Sequence, residues 1–306
     1  MAECHILINF ASKITLTHYD MKRFTFLFVV LLAVCGIQAQ KVEKKGEVLN
    51  IDKVKYRITY TGKMVVDTLR NPYIYNESEM RLDIGEKVTH FYDRSKEVRD
   101  SVLHEATIRG DYNFSSLPKG GRFAWVYYKN YPKEGESTFL ESVIKEDYQC
   151  IEKVETPDWK IIPDSTANIM GYACQLAKAS FKGRTWYAWY SEDIPMSEGP
   201  WKLCGLPGLI LRAYDQSKQY IFDAIGMSDL KGSVDLTFNK IPRETISQKA
   251  LRDARNKIDL TNLLSGGSSA NVKIVGADGA FSSNKEVMQA LKAANRKMKS
   301  NPIELE

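Results

Sequence analysis

The sequence predicts a mainly β protein, a curved antiparallel sheet of half-barrel type followed by C-terminal α-helices. Three observations predict it. Short runs that alternate apolar and polar residues recur up to about position 245, with turn residues between them. Helical patterns do not alternate with these runs, as a parallel α/β fold would require. Helix-start signals are read only beyond Arg243. No internal repeat is visible.

Taken in order, the chain of 306 residues opens with "MAECHILINFASKITLTHYD", which has no role in a signal. Residues 1–20 are therefore expected to be a non-native upstream extension, with Met21 the true start. Residues 21–39 read as a secretory signal peptide. Lys22 and Arg23 give the positive start, Phe24–Val34 the apolar run, and small residues lead to a cut after Ala39. The apolar run is too short to span a bilayer, so no transmembrane span is expected in the mature chain. Cys35 raises lipidation as an alternative, although Val34 is a poor residue before a lipidated cysteine. The expected address is periplasmic or extracellular.

About 267 residues remain after the cut, enough for one large domain or one domain with an extension. The β domain is expected over 40–245. Its strands begin with Val54, Tyr56, Ile58 and Tyr60, alternating with Lys53, Lys55, Arg57 and Thr59. Segments 79–85, 89–93, 122–128, 137–144, 147–155, 172–181 and 184–190 follow. "LILRAYD" and "QYIFDAIGM" close the series as a hairpin around Gln216-Ser217-Lys218.

Residues 246–306 are expected to be a helical extension. Thr245 and Gln248 have capping-box spacing, with Ile246, Ala250, Ala254 and Ile258 as the apolar stripe. Residues 265–282 read as a flexible linker. Ser283 and Glu286 form a second capping box before a basic amphipathic helix. That helix is read as docking on its own domain, with membrane binding as the alternative. The net charge of +5 is thinly spread, and an exported chain is not expected to meet nucleic acid.

Three cysteines survive processing, Cys150, Cys174 and Cys204. An oxidising compartment predicts one disulfide among them and one thiol left over, with the pairing open. Cys204 lies in "GPWKLCGLPGLILRAYD", residues 199–215. There Pro207-Gly208 fits the centre of a type II turn, with Gly208 at φ > 0 and Gly205 as a second permissive joint, so the motif is first a corner. A corner leaves Leu206 and Leu209 unexplained. Packing of the aromatics as core is one reading. In the other, Trp186, Trp189, Trp201, Leu206, Pro207 and Leu209 form a ligand or partner surface, with Trp201 and Leu206 partly exposed beside a concavity.

The hexapeptide at 205–210 resembles the signature of the GLPGLI family, also called Porph_ging, secreted proteins of Gram-negative bacteria. The likeness runs through "GYACQLAKASFKGRTWYAWYSEDIP" (171–195) and "GPWKLCGLPGLILRAYD", and ends in "NPIEL" (301–305). "LDIGEKVTHFYD" (82–93) is similar to the family's N-terminal part. The resemblance implies export and carries over no catalytic residue. The strand pattern is also similar to the half-barrel of periplasmic lipoprotein carriers, a likeness of fold alone.

The sequence holds no GxSxG, HExxH, P-loop or GxGxxG motif. His90 and His104, near Asp93 and Glu105, are the histidines left after processing, and neither has a third ligand at metal spacing. No cofactor or metal is expected. The function read from these residues is a cell-envelope protein that binds an apolar small molecule or an envelope protein through its aromatic GLPGLI region. A hydrolytic enzyme, with His90 or His104 joined to Cys204 or a carboxylate, is the alternative.

Overall fold

Two strands of unusual length, β1 (Glu47–Val65) and β11 (Tyr220–Lys240), lie side by side at the middle of the sheet. The structure is a computed structural model, and it describes residues 46–68, 70–110, 121, 123–143, 146–256 and 301–305. The expected signal peptide, upstream extension, linker 265–282 and basic helix lie outside the described residues.

Between the two long strands in the chain come β2 (Tyr75–Ile84), β3 (Thr89–Asp93), α1 (Arg94–Ile108), β4 (Trp125–Lys129), β5 (Glu136–Val143) and β6 (Glu146–Lys153). They are followed by β7 (Lys160–Ile169), β8 (Tyr172–Phe181), β9 (Arg184–Ser191) and β10 (Leu209–Asp215). After β11 come β12 (Glu244–Thr245) and α2 (Gln248–Asn256). All strands join one sheet of order β12-β6-β5-β4-β3-β2-β1-β11-β10-β9-β8-β7, open at both ends and not closed into a barrel. Among the described residues every pairing is antiparallel except the short parallel contact of β12 with β6. The expected mainly β class is therefore found.

Strand alternation explains the principal core. Ile58, Tyr60, Met80, Leu82, Phe91, Phe139, Trp186 and Phe222 are buried on one face, and their rings interlock. Phe91 meets Phe222 edge-on at 5.6 Å, and Trp125 stacks on Phe139 at 5.7 Å. Tyr56 departs from the expected alternation, being exposed while Val54 and Ile58 are fully buried. The register slips there, pairing Val54 with Val234 but Tyr56 with Asp229, so residues 230–233 bulge from β11. Beyond that bulge, Leu236 and Phe238 pack with Val54, Val88, Tyr128 and Leu140. Tyr128 and Leu140 are out of phase with Tyr127 and Phe139, so this second cluster lies on the sheet's opposite face.

Helix α1 was not legible. Its charges run all round, and no apolar stripe marks it. Asp93 starts it by accepting hydrogen bonds from Lys96 N at 2.9 Å and, from outside the helix, Phe123 N at 3.0 Å. In α2 the cap is Ser247, whose hydroxyl accepts from Ala250 N, while Thr245 is drawn into β12 beside Gln149. The buried positions of α2 are Gln248 and Leu251, and Ala250 is exposed. No described helix is long and apolar enough to cross a membrane.

Candidate functional site

The connection from β9 to β10 carries the GLPGLI hexapeptide. It is ordered by its own backbone. Gly205 N donates to Ser197 O, Leu209 N to Ile194 O and Ile210 N to Glu198 O, at 3.1, 3.0 and 3.0 Å. These bonds fold the segment onto itself and turn its apolar side chains inward. Trp186, Trp201, Leu206 and Leu209 are at most 2% exposed, which corrects the expectation of a partly exposed Trp201 and Leu206. Trp201 packs against Trp186 at 5.5 Å and Phe181 at 5.8 Å. Of the six side chains expected to form a contact surface, Pro207 is exposed and Trp189 half-buried. The other four are core.

The two glycines have different reasons. Gly205 adopts φ +91°, a left-handed geometry that penalises any β-carbon. Gly208 does not have positive φ, so the type II turn is corrected. Its need is space: a β-carbon there would lie 1.9 Å from Ser191 O. Two backbones cross at van der Waals contact where the connection leaves β9 and returns to β10.

Outside contacts tie this connection to β1, β4, β6 and the segment between β6 and β7. Tyr60 OH donates to Ile210 O at 2.8 Å, and Trp159 Nε1 to Cys204 O at 2.8 Å. Lys129 forms an ion pair with Glu198. Lys202, 5% exposed, donates to Glu152 Oε2 at 2.6 Å and lies 2.8 Å from Glu304 Oε1. Its ammonium also sits 5.6 Å from the ring centre of Phe139.

The three cysteines among the described residues, Cys150, Cys174 and Cys204, are buried free thiols, so the expected disulfide among them is not formed. Cys150 lies on β6, Cys174 on β8 and Cys204 in the β9–β10 connection. Burial pushes all three thiols up, Cys150 to about 12, which keeps them protonated and poorly nucleophilic near neutral pH. They act as small packing residues.

The histidines part company. His104 is exposed on α1. His90 stacks between Tyr128 at 4.1 Å and Tyr92 at 4.4 Å, and its buried Nε2 has no hydrogen-bond partner. Burial, then the charge of Arg57, holds its pKa down at about 3. Beside it Arg57 grips Asp83 through two bonds of 2.6 and 2.7 Å, and Tyr92 OH donates to Asp83 at 3.3 Å. Among the described residues no group of three His, Cys, Asp or Glu could hold a metal ion.

A cavity of about 260 Å³ opens on the principal face, between β4, β11, α2 and residues 301–303. Met64, Val65, Trp125 and Ile303 give it apolar walls, and Arg252 and Arg255 give it a cationic end. Arg255 is neutralised by Glu141, with which it forms a bidentate pair. Arg252 is not: its Nη1 is buried with no hydrogen-bond partner. Sequence reading missed Arg252, because an arginine in a helix rich in charges carries no signal of what it faces.

Residues 176–212 match the model of Porph_ging, described as a protein of unknown function. This stretch is similar to Porph_ging. It runs from β8 through β9 and the buried connection into β10, so the GLPGLI resemblance read from the sequence rests on this part of the fold. No curated protein matches the chain. Two solved structures of PNGF-II, in the P21 and C2 space groups, are similar at 17% and 16% identity with TM-scores of 0.42 and 0.43. Each alignment covers 65% of this chain and 32% of the PNGF-II chain, about a third of that protein's length.

Proposed function

We propose that the protein binds a small amphipathic ligand, apolar with one anionic group, in the cavity lined by Trp125, Tyr220 and Arg252. The observation that carries this reading is the buried Nη1 of Arg252, unpartnered at the rim of apolar walls. A buried guanidinium N–H without an acceptor costs free energy, which an anionic ligand would recover. Apolar walls with one or two fixed polar anchors are the usual form of a ligand site. A cavity of about 150 Å³ takes benzene, so 260 Å³ suits a ligand of about ten non-hydrogen atoms. The envelope partner and the exported, periplasmic or extracellular address read from the sequence belong to the same proposal. The hydrolytic alternative gains nothing from a neutral His90 and three protonated thiols.

A half-barrel curvature is part of this reading, and chain length supports it. Strands β6 and β7 are ten inter-strand spacings apart in the sheet order, about 48 Å if the sheet were flat. Only residues Val154–Trp159 join them, with a reach of about 25 Å. A sheet that bends brings its two ends within that reach and gives the principal face a hollow.

The test is titration with hexanoate, octanoate and decanoate, followed by tryptophan fluorescence and calorimetry. Saturable binding is expected, weakened about tenfold or more by Arg252→Ala with the melting temperature little changed. Absence of saturable binding across the series, or equal affinity in the variant, would refute the site.

A further inference from the structure

Residues Asn301–Leu305 dock on the body of the protein through groups that read nearly every position. Asn301 is held three ways. Its Oδ1 accepts from Arg184 Nη2 at 2.5 Å, its Nδ2 donates to Val65 O at 2.5 Å, and its carbonyl accepts from Tyr220 OH at 2.7 Å. The carbonyls of Pro302 and Ile303 accept from Arg184 Nη2 and Nε at 2.6 and 3.0 Å. Ile303 is 2% exposed, and Glu304, 3% exposed, meets the buried Lys202 at 2.8 Å. Leu305 N donates to Lys182 O at 3.1 Å, while its side chain stays half exposed.

The receiving groups are fixed without the segment. Arg184 is anchored by Asp215 Oδ2 at 3.0 Å and Gln219 Oε1 at 3.1 Å, and its guanidinium lies 4.9 Å from the ring centre of Tyr220. Lys202 is anchored by Glu152. Preorganised donors that bind backbone carbonyls and select side chains are what a peptide site needs. Residues 257–300 separate the segment from α2 in the chain, so docking joins positions distant in sequence.

We propose that Arg184, Lys202 and Tyr220 form a peptide-recognition site for an extended Asn-Pro-aliphatic-Glu sequence, filled in this chain by its own residues 301–305. The segment is then a tethered ligand, and the same sequence supplied as a free peptide competes for the same groups. In the intact chain the covalent link makes docking intramolecular, which shuts out dilute competitors. This inference stands apart from the identity of any ligand in the neighbouring cavity.

The experiment uses the full chain with a specific protease site inserted between Gly266 and Gly267, and fluorescein-labelled Asn-Pro-Ile-Glu-Leu as probe. Before cleavage the peptide at micromolar concentration should not raise the anisotropy. After cleavage it should exchange in saturably, and circular dichroism should show the strands intact. Peptides with Asn→Ala or Glu→Ala should bind about tenfold more weakly or less, because each loses a buried charge-assisted or multiple anchor. An uncut Asn301→Ala, Glu304→Ala chain should take the peptide without cleavage. A cleaved chain that unfolds, or that stays folded and excludes the peptide, overturns the proposal, as does equal affinity for the substituted peptides.

Discussion

His90 is kept neutral by its surroundings, and this sets a pH dependence. Its pKa is about 3 in the folded chain against an ordinary 6.5. A depressed folded value means the unfolded chain binds the proton more readily as pH falls. The stability that His90 contributes is therefore complete above pH 6.5 and is lost as pH drops from there toward 3. Between pH 6.5 and 5 the loss is about 2 kcal/mol. His90→Phe keeps a flat ring between Tyr92 and Tyr128 and has no proton to take up. Urea unfolding at pH 7, 6 and 5 should show the wild-type chain losing about 2 kcal/mol more than the variant over that range. Parallel curves would mean that the ring is solvated. At the same scale, the glycines show what a sequence conceals. Pro207-Gly208 spells a turn, yet Gly208 is required by the passing carbonyl of Ser191, a neighbour that only the folded chain supplies.

The β9–β10 connection behaves as a core element written in loop residues. Trp201 and Leu206 are 2% exposed, so truncating them leaves a cavity and forfeits transfer free energy. Trp201→Ala with Leu206→Ala should cost about 5 kcal/mol or more, with some coupling between the two sites. Urea midpoints measure it, and a loss under about 1 kcal/mol would return these residues to the surface. Strands β3, β8 and β10 were legible to the residue: β8 alternates and ends at a turn, and β3 and β10 are short runs rich in apolar and aromatic residues. Strand β7 was missed: Pro163 interrupts it, and most of its side chains are exposed or half-buried at the edge of the sheet. The candidate site was less legible still. Tryptophans and leucines look alike in sequence whether they line a groove or fill a core, whereas Arg184, Lys202 and Arg252 acquire meaning only through partners distant in the chain.

On the scale of the whole molecule, the sheet is anchored at its middle and open at its ends. The long β1–β11 pair joins residues more than 150 positions apart, between Tyr56–Met64 and Tyr220–Asp229. Fully buried side chains flank it, while β7 has a partner on one side only. Native-state hydrogen exchange should therefore grade across the sheet, with amides of Ile58 and Tyr60 protected about a hundredfold or more beyond those of β7. Uniform protection from edge to centre would contradict this layout.

The docking of residues 301–305 also has a bearing on timing. A chain grows from its amino end at about 5–20 residues per second and begins to fold as it emerges. Strand β11 is complete at Lys240, when Arg184 already has Asp215 and Gln219 and Lys202 already has Glu152, whereas the acceptors on Pro302, Ile303 and Glu304 arrive later. Until then each cation keeps its carboxylate partner within the body of the protein. The contacts of residues 301–305 therefore form after strand β11 is complete, on a receiving site that is already in place.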